Sequence, residues 1–372
     1  MQEAQIEWSD SLRLVKDPLV SVVMTAYNHE PYLAEAIEGV VRQDTSFAVE
    51  LLIGEDCSTD GTRSIALSYQ KGFPEMIRVI ASERNVGAHA NLTRLLAASR
   101  GRYIAFCDGD DFWHRADKLQ RQIDQFCADE SVVCVSSGYR TVSVDSEVVE
   151  TTQQGGCDLK AIAVEYQDLV LGTPLNPNTC TVVVQASPVK EALNGNSLFS
   201  DHTLLIGDFP LWLEVMQHGR MMHLPEALAS YRLSPNSGTR RSDPLWSLRV
   251  AISVIEVRYR ALERYPLPGS DIQTLQAKLR FARRLLIGGA RVGDRVMARC
   301  QWRRLIGLGA RPTLSDVACM AIALTPLPRR LLTVTARRMI RYLEVRGWKR
   351  NGALGSLRSE FGDFGGFGGF KF

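Results

Sequence analysis

The chain has 372 residues, of which 45% are hydrophobic and 23% are charged, a composition typical of a globular protein of about two domains. It contains no run of about 18 uncharged apolar residues, so we expect no membrane-spanning helix. None of the eight cysteines forms a C-x-x-C pair, which argues against a zinc site or a disulfide framework. The first residues lack a basic flank followed by an apolar stretch, so we expect no secretory signal and a cytoplasmic location.

Charge is distributed unevenly along the chain. Residues 1–230 hold 17 basic against 32 acidic side chains, whereas residues 231–350 hold 25 against 7. This asymmetry indicates two regions with different roles. We therefore divide the chain into an N-terminal extension (1–17), an α/β domain (18–236), a basic, mostly helical region (237–350) and a Gly/Phe-rich tail (351–372) predicted to be disordered.

Short apolar runs alternate with helix-period patterns over the first 130 residues. Strands are predicted at 19–27, 49–54, 76–82 and 102–108, and helices at 31–43, 60–70, 88–99 and 116–129. This alternation predicts an α/β fold with a mostly parallel, Rossmann-like sheet covered by helices on both faces. Further on, we predict strands at 132–144 and 179–185 with a polar loop, Asp145–Cys157, between them, and a helix at 209–219.

Polar side chains follow the predicted strands of this domain. The segments are "TAYN" (25–28), "GEDCSTDGT" (54–62), "SERNVGAHAN" (82–91) and "CDGDD" (107–111). In a doubly wound sheet, the carboxyl ends of the strands share one crevice in which ligands bind. The crevice has acids but no lysine-bearing phosphate loop, so binding a phosphate there requires a cation.

The segment "CDGDD" is the predicted place for that cation. Asp108 and Asp110 are two residues apart, so in extended chain their side chains project to the same side. Gly109 lacks a side chain where a ligand would approach. Carboxylates combined with diphosphate oxygens suit Mg²⁺ or Mn²⁺, and we predict one of these cofactors.

Five motifs in order resemble the family 2 glycosyltransferases. They are "VSVVMTAYNHEPYLAEAI", "LLIGEDCSTDGT", "NVGAHANLTRLLAASRGRYIAFCDGDDFW", "LLIGDFPLWLEVMQHGR" and "ALASYRLSPNSG", and the match covers Pro18 to Asn236. The resemblance implies a GT-A fold for residues 18–236. It also implies metal-dependent, inverting transfer of a sugar from a UDP- or dTDP-linked donor to a glycan or lipid-linked acceptor, in surface polysaccharide or glycoconjugate synthesis.

The resemblance also assigns roles to individual residues. It implies nucleotide contacts from Thr25, Ala26, Tyr27, Asn28, Glu55, Asp56, Asn85, Gly87 and Asp108. Asp110 and Asp108 would contact the metal, and Asp208 would be the general base that takes the proton of the attacking acceptor hydroxyl. Asp111, Trp113, Trp212 and Arg232 are candidates for acceptor or diphosphate contacts. Ser234 stands where many members have histidine, which removes one expected metal ligand.

Each assignment has a structural alternative. Aspartates at turns also cap helices, and Trp113 and Trp212 are equally compatible with core packing. A non-catalytic nucleotide-sugar or glycan-binding protein, or a membrane-attached scaffold with a degenerate site, is the alternative function. The basic region (237–350) is compatible with solvated helix faces, with an anionic membrane surface on the inner face of the cell membrane or with a lipid-diphosphate acceptor. We expect no nucleic-acid partner because no reader motif accompanies the charge.

Overall fold

The computed structural model describes residues 5–152, 160–172, 177–201, 203–234 and 244–324. The chain divides into two compact units. The first comprises the described residues within 1–169, 175–203 and 207–234, and the second those within 170–174, 204–206 and 235–372. The Gly/Phe-rich tail (351–372), which is predicted to be disordered, and residues 325–350 of the basic region lie outside the described part.

The first unit is built on a ten-stranded sheet. Its strands are β1 (Gln5–Trp8), β2 (Val20–Ala26), β3 (Val49–Glu55), β4 (Ile77–Ser82), β5 (Tyr103–Phe106), β6 (Val132–Val142), β7 (Val148–Thr152), β8 (Ile162–Val164), β9 (Val183–Gln185) and β10 (Arg220–Arg232). The helices described along the chain up to residue 215 are α1 (Leu33–Val41), α2 (Thr62–Gly72), α3 (Ala88–Ala98), α4 (Lys118–Ala128), α5 (Tyr166–Leu171), α6 (Ala186–Asn194) and α7 (Asp208–Val215).

The sheet order is β1-β4-β3-β2-β5-β9-β6-β10-β8, and β7 pairs with β6. Strands β4, β3, β2 and β5 are parallel to one another, as the alternating sequence pattern predicts. Strands β3 and β4 are added on one side of β2, and β5 is added on the other. The strand order therefore reverses between β2 and β5, which makes this pair the switch point of the sheet. Crevices at such switch points are where ligands bind in open α/β sheets.

The central strands are rich in β-branched and leucine side chains, which favour buried strands. Strands β2, β3, β4 and β5 are buried along almost their whole length, because helices cover both faces. Helix α4 contributes Leu119, Ile123 and Phe126 to the core at the spacing that the sequence predicts. The core therefore holds the strand ends of the predicted crevice in a fixed arrangement.

Several elements differ from the prediction. The N-terminal extension contains β1, which pairs antiparallel with β4. The prediction of a polar loop at 145–157 is wrong over the described residues, because β7 forms there and pairs antiparallel with β6. The last helix of the domain begins at Asp208 and ends at Val215, short of Gly219, and the chain then enters the long strand β10.

The second unit contains four described helices. They are α8 (Pro244–Arg264), α9 (Asp271–Val292), α10 (Arg295–Gly307) and α11 (Leu314–Leu324). Ser270 caps α9 and Asp294 caps α10 through side-chain oxygens that accept backbone N–H groups. Among the described residues, no helix combines the length and the apolar composition needed to cross a membrane.

Candidate active site

The ends of β2 and β5 are joined by direct hydrogen bonds. The Thr25 hydroxyl donates to the Asp108 carboxylate, and the Gly109 N–H donates to the Thr25 carbonyl at 2.8 Å. A Cβ added at Gly109 would lie 2.8 Å from His29 Nδ1 and 3.1 Å from the Thr25 carbonyl oxygen. The close approach of the β2 end therefore requires glycine at this position, in addition to the space that Gly109 is expected to leave for a ligand.

The end of β3 places two acids whose charges are satisfied within the protein. Glu55 is fully buried, accepts the Ser58 N–H at 2.6 Å and pairs with Arg63 at 2.5 Å. Asp56 is 2% exposed and accepts the N–H groups of Val86 and Gly87 at 2.8 and 2.9 Å. Asp56 thus holds the loop that follows β4, in addition to any contact with a ligand.

That loop and the segment after β2 are shaped by unusual backbone conformations. Gly87 has a φ of 87°, which a residue with a side chain adopts only with strain, and it precedes α3. Asn28 has a φ of 54°, and its side-chain oxygen accepts the Thr59 N–H at 2.9 Å. These contacts bring the predicted nucleotide-binding segments together along one edge of the sheet.

The side chains in these segments differ in how much they face solvent. Ala26 is buried in β2, whereas Tyr27 is 42% exposed and Asn28 and Asn85 are also exposed. The Tyr27 ring is accordingly exposed at this edge, and the side-chain oxygens of Asn28 and Asn85 accept the N–H groups of Thr59 and Gly87.

The loop after β5 concentrates negative charge that the protein does not neutralise. Burial, together with the neighbouring charges of Asp110 and Asp208, raises the pKa of Asp108 to about 7. Burial and the charges of Asp110 and Asp108 also raise the pKa of Asp111 well above its ordinary value. Within the described residues, no lysine or arginine forms an ion pair with any of the three loop aspartates, Asp108, Asp110 and Asp111.

Asp208 belongs to the same site although it is distant in sequence. It begins α7, where it accepts the Phe209 N–H at 2.7 Å and the hydroxyl of Thr179. It lies close enough to Asp108 for its charge to raise the pKa of Asp108. The structure therefore brings the predicted base to the predicted metal-binding pair.

Arg232 does not face this crevice. It is 1% exposed, and its guanidinium donates to the backbone carbonyl of Asp110 at 2.8 Å and to Glu35 at 2.6 Å. The same group donates to the carbonyls of Ser143 and Val144. The expectation that Arg232 contacts a diphosphate is corrected, because these protein acceptors already occupy its donors.

Aromatic rings enclose the same guanidinium. Its central carbon lies 4.8 Å from the centre of the Tyr32 ring and 5.3 Å from that of Phe112. The backbone N–H of Arg232 also donates to Asp111 at 2.9 Å, and Phe112 and Ser230 exchange backbone hydrogen bonds. Asp111 is 3% exposed, so its role in the structure is to fasten the loop to β10 rather than to contact an acceptor.

Trp113 and Trp212 occupy the core. Trp113 is 3% exposed, donates to the Cys180 carbonyl at 2.8 Å and lies 4.0 Å from the buried Lys118 amine. Trp212 is 1% exposed and packs edge-on against Phe106. The packing alternative therefore holds for both rings, because neither presents a face to a ligand.

Comparison with known proteins decides the family. The model of the family described as "Glycosyl transferase family 2" matches residues 21–168. TuaG of Bacillus subtilis, a putative teichuronic acid biosynthesis glycosyltransferase, is 31% identical over 221 residues, which are 59% of this chain and 81% of TuaG. The chain belongs to glycosyltransferase family 2. Uncharacterized protein Rv1520 of Mycobacterium tuberculosis is 32% identical over 220 residues, so that 57% of this chain matches just over half, 58%, of that relative.

Solved structures show the fold of this family 2 member. TarS of S. aureus (residues 1–349, in complex with UDP-GlcNAc) has a TM-score of 0.57 at 17% identity, covering 88% of this chain and 92% of that 1–349 chain. The mannosyltransferase PcManGT from Pyrobaculum calidifontis, in complex with GDP-Man and Mn²⁺, has a TM-score of 0.50 at 16% identity, covering 90% and 89%. The chain therefore has the predicted GT-A fold.

The residues of this family 2 site fit a divalent cation. Asp108 and Asp110 are hard oxygen donors whose charges lack a cationic side chain, and their mutual repulsion contributes to the raised pKa of Asp108. Among the described residues, no three metal-binding side chains are already gathered. Mg²⁺ commonly uses one or two carboxylates and completes its shell with phosphates and water, so two aspartates suffice.

Two contributors to the site were not identified from the sequence. Thr179, in a short 3₁₀ turn before β9, orients Asp208 but belongs to no motif. Glu35, on α1, is the ion-pair partner of Arg232; both residues lie in quoted motifs, but nothing in either motif pairs them across 197 residues. Ser234 is 6% exposed and lies two residues after the end of β10, where the family's histidine is expected.

Proposed function

We propose that the chain transfers a sugar, with inversion, from a UDP- or dTDP-linked donor to a hydroxyl of a glycan or lipid-linked acceptor. The observation that carries this proposal is the group of unneutralised carboxylates, Asp108, Asp110 and Asp208, at the β2–β5 switch point. Three adjacent negative charges are costly unless a cation joins them. A metal-bound nucleotide diphosphate brings that cation together with oxygen ligands.

The donor would lie along the edge formed by β2, β3 and β4. Tyr27 and Asn28 are exposed beside the loop held by Asp56, which supports a nucleotide contact there. Asp108 would contact the ribose and the metal, and Asp110 the metal. The bound cation would stabilise the negative charge that develops on the departing diphosphate.

Asp208 would act on the acceptor. A hydroxyl is a weak nucleophile near neutral pH, so its oxygen attacks the sugar carbon as the Asp208 carboxylate takes its proton. The attack comes from the side opposite the departing diphosphate, and the configuration at that carbon inverts. Thr179 and the Phe209 N–H hold the two carboxylate oxygens and thereby orient the base.

Relatives support the substrate classes of this proposal. TuaG is named for teichuronic acid synthesis, and TarS was crystallised with UDP-GlcNAc. PcManGT was crystallised with Mn²⁺, which supports a divalent cofactor. We accordingly propose surface polysaccharide or glycoconjugate synthesis as the setting and Mg²⁺ or Mn²⁺ as the cofactor.

The test measures release of nucleoside diphosphate from a panel of nucleotide sugars with Mn²⁺ or Mg²⁺. We expect Asp208→Asn to lower turnover by roughly 100-fold or more while donor binding persists. Asp124→Asn changes an exposed aspartate on α4 and serves as the matched control, with turnover unchanged. Equal turnover in both variants would remove Asp208 from the mechanism.

The replacement of histidine by Ser234 favours one alternative, a binding protein with a degenerate site. Metal-dependent binding of a nucleotide sugar without any diphosphate release, with every acceptor tried, would support that alternative. Absence of nucleotide binding altogether would contradict both functions.

A further inference from the structure

We propose that the junction of α10 and α11 is a docking surface for an anionic lipid bilayer. The surface, here the α10–α11 tip, consists of Arg303, Ile306, Arg311, Leu314 and Val317, all of them exposed. This inference concerns the second unit alone and does not depend on the proposed sugar transfer.

Helix α11 is apolar on two faces. Its inner face includes Cys319, Ile322 and Ala323, which are buried. Its outer face presents Leu314, Val317 and Leu324 with exposures of 82%, 51% and 39%, at spacings of three and seven residues. A helix of a water-soluble unit normally has one apolar face, so the second one indicates a non-aqueous neighbour.

A tight turn keeps the end of α10 next to the start of α11. Gly309 has a φ of 75° and donates its N–H to the Ile306 carbonyl at 2.9 Å. Ala310 then donates to the Leu305 carbonyl at 3.0 Å. Ile306, which is 48% exposed, therefore lies at the turn that leads from α10 into α11.

The charge of the tip selects the partner. Residues 295–324 contain five arginines and one acid, Asp316, which is buried and pairs with Arg283. Arg304 pairs with Glu256, but Arg303 and Arg311 have no ion-pair partner among the described residues. An anionic partner therefore fits this face electrostatically.

A bilayer fits better than a second copy of the chain. A symmetric dimer through this face would oppose like-charged arginines, which disfavours it. An anionic bilayer instead receives exposed leucine, isoleucine and valine side chains below its headgroups and arginines at the headgroup level. The sequence after residue 324 adds eight basic side chains against one acid up to residue 350, so the positive charge continues.

The test measures binding of the full chain to vesicles of phosphatidylglycerol with phosphatidylcholine, and to vesicles of phosphatidylcholine alone. We expect preferential binding to the anionic vesicles and a loss of at least about tenfold in affinity for Leu314→Asp/Arg311→Glu. The matched control is Leu12→Asp/Lys71→Glu, which makes the same charge change at exposed positions of the first unit and keeps the affinity. Both double variants should retain the wild-type melting temperature because all four side chains are exposed.

Each other outcome overturns the proposal. Unchanged binding of the tip variant would assign the interaction to residues outside the tip, and an equal loss in the control would reduce it to net charge. Loss in Arg311→Glu alone with no loss in Leu314→Asp alone would indicate a soluble polyanion rather than a bilayer. A dimer that Leu314→Asp dissociates, seen by sedimentation, would make the tip a self-association surface.

Discussion

The loops after β3 and β5 both carry adjacent acids at the same edge of the sheet, but they differ in how the charge is balanced. After β3, Glu55 has Arg63 and Asp56 has two backbone N–H groups. After β5, Asp108 and Asp110 receive no cationic side chain among the described residues. The charges of the first loop are thus balanced within the protein, whereas those of the second are not balanced by any cationic side chain that the structure describes. Acidic residues of equal appearance in the sequence can thus have structural or ligand-dependent roles.

The largest expected effect comes from Arg232, which supports the β5 loop through its backbone. Replacing it by glutamine removes donors to Asp110, Glu35 and two further carbonyls, and should lower the free energy of unfolding by roughly 3 kcal/mol. Arg78→Gln, at a similarly buried arginine paired with Glu7 and Glu50, is the control. Chemical denaturation should find both variants destabilised, and amide exchange of residues 108–112 should rise only in the Arg232 variant. Unaltered exchange there would mean that Arg232 does not position the loop.

In the β5 loop, Asp110→Asn should lower the catalytic rate without lowering the stability of the protein. Removing one of two repelling carboxylates should leave the melting temperature unchanged or higher, because no cationic partner loses its counter-charge. Diphosphate release should fall by roughly 100-fold or more, because the cation would lose a ligand. Steady-state kinetics over a range of Mn²⁺ concentrations tests this, and a large drop in stability would show that the loop was balanced after all.

In contrast to Asp110→Asn, Asp56→Asn should destabilise the folded protein. The amide leaves one of the two N–H groups of Val86 and Gly87 facing a donor, so the free energy of unfolding should fall by about 1–3 kcal/mol. Denaturation of the ligand-free protein provides the measurement. A stability equal to that of the wild type would erase the contrast between the two loops.

The smallest expected effect is on the loss of stability at acid pH, to which His223 and the β5 loop contribute with opposite signs. Burial lowers the pKa of His223 from 6.5 to about 4, so the unfolded chain takes up this proton first and stability is lost as the pH falls through that range. The raised pKa of Asp108 acts with the opposite sign, because the folded state there takes up the proton first. Between pH 6.5 and 5, the free energy of unfolding should fall by roughly 2 kcal/mol less in His223→Gln than in the wild type. Melting temperatures at those pH values should converge in the variant, and an unchanged difference would assign the acid sensitivity elsewhere.

The sequence was informative wherever local pattern decides structure. The period of apolar residues predicted the parallel strands β2 to β5 and their helices, and the position of "CDGDD" after β5 placed it at the switch point. The fates of Arg232, Trp113 and Trp212 were not predictable, because they depend on contacts across the fold. Arg232 meets Asp111 across 121 residues, and no periodicity or motif encodes such a meeting. Strand β7 (VVETT) was also missed, since it forms by pairing with β6.

We propose above that Asp108 and Asp110 bind a cation together with a diphosphate. Calorimetric titration of Mn²⁺ into the protein, with and without UDP, tests it most directly when wild type and Asp110→Asn are compared. We predict that UDP strengthens Mn²⁺ binding to the wild type and that the variant binds Mn²⁺ at least about tenfold more weakly in the presence of UDP. Equal Mn²⁺ affinity in the two proteins, or no effect of UDP on the wild type, would contradict the account.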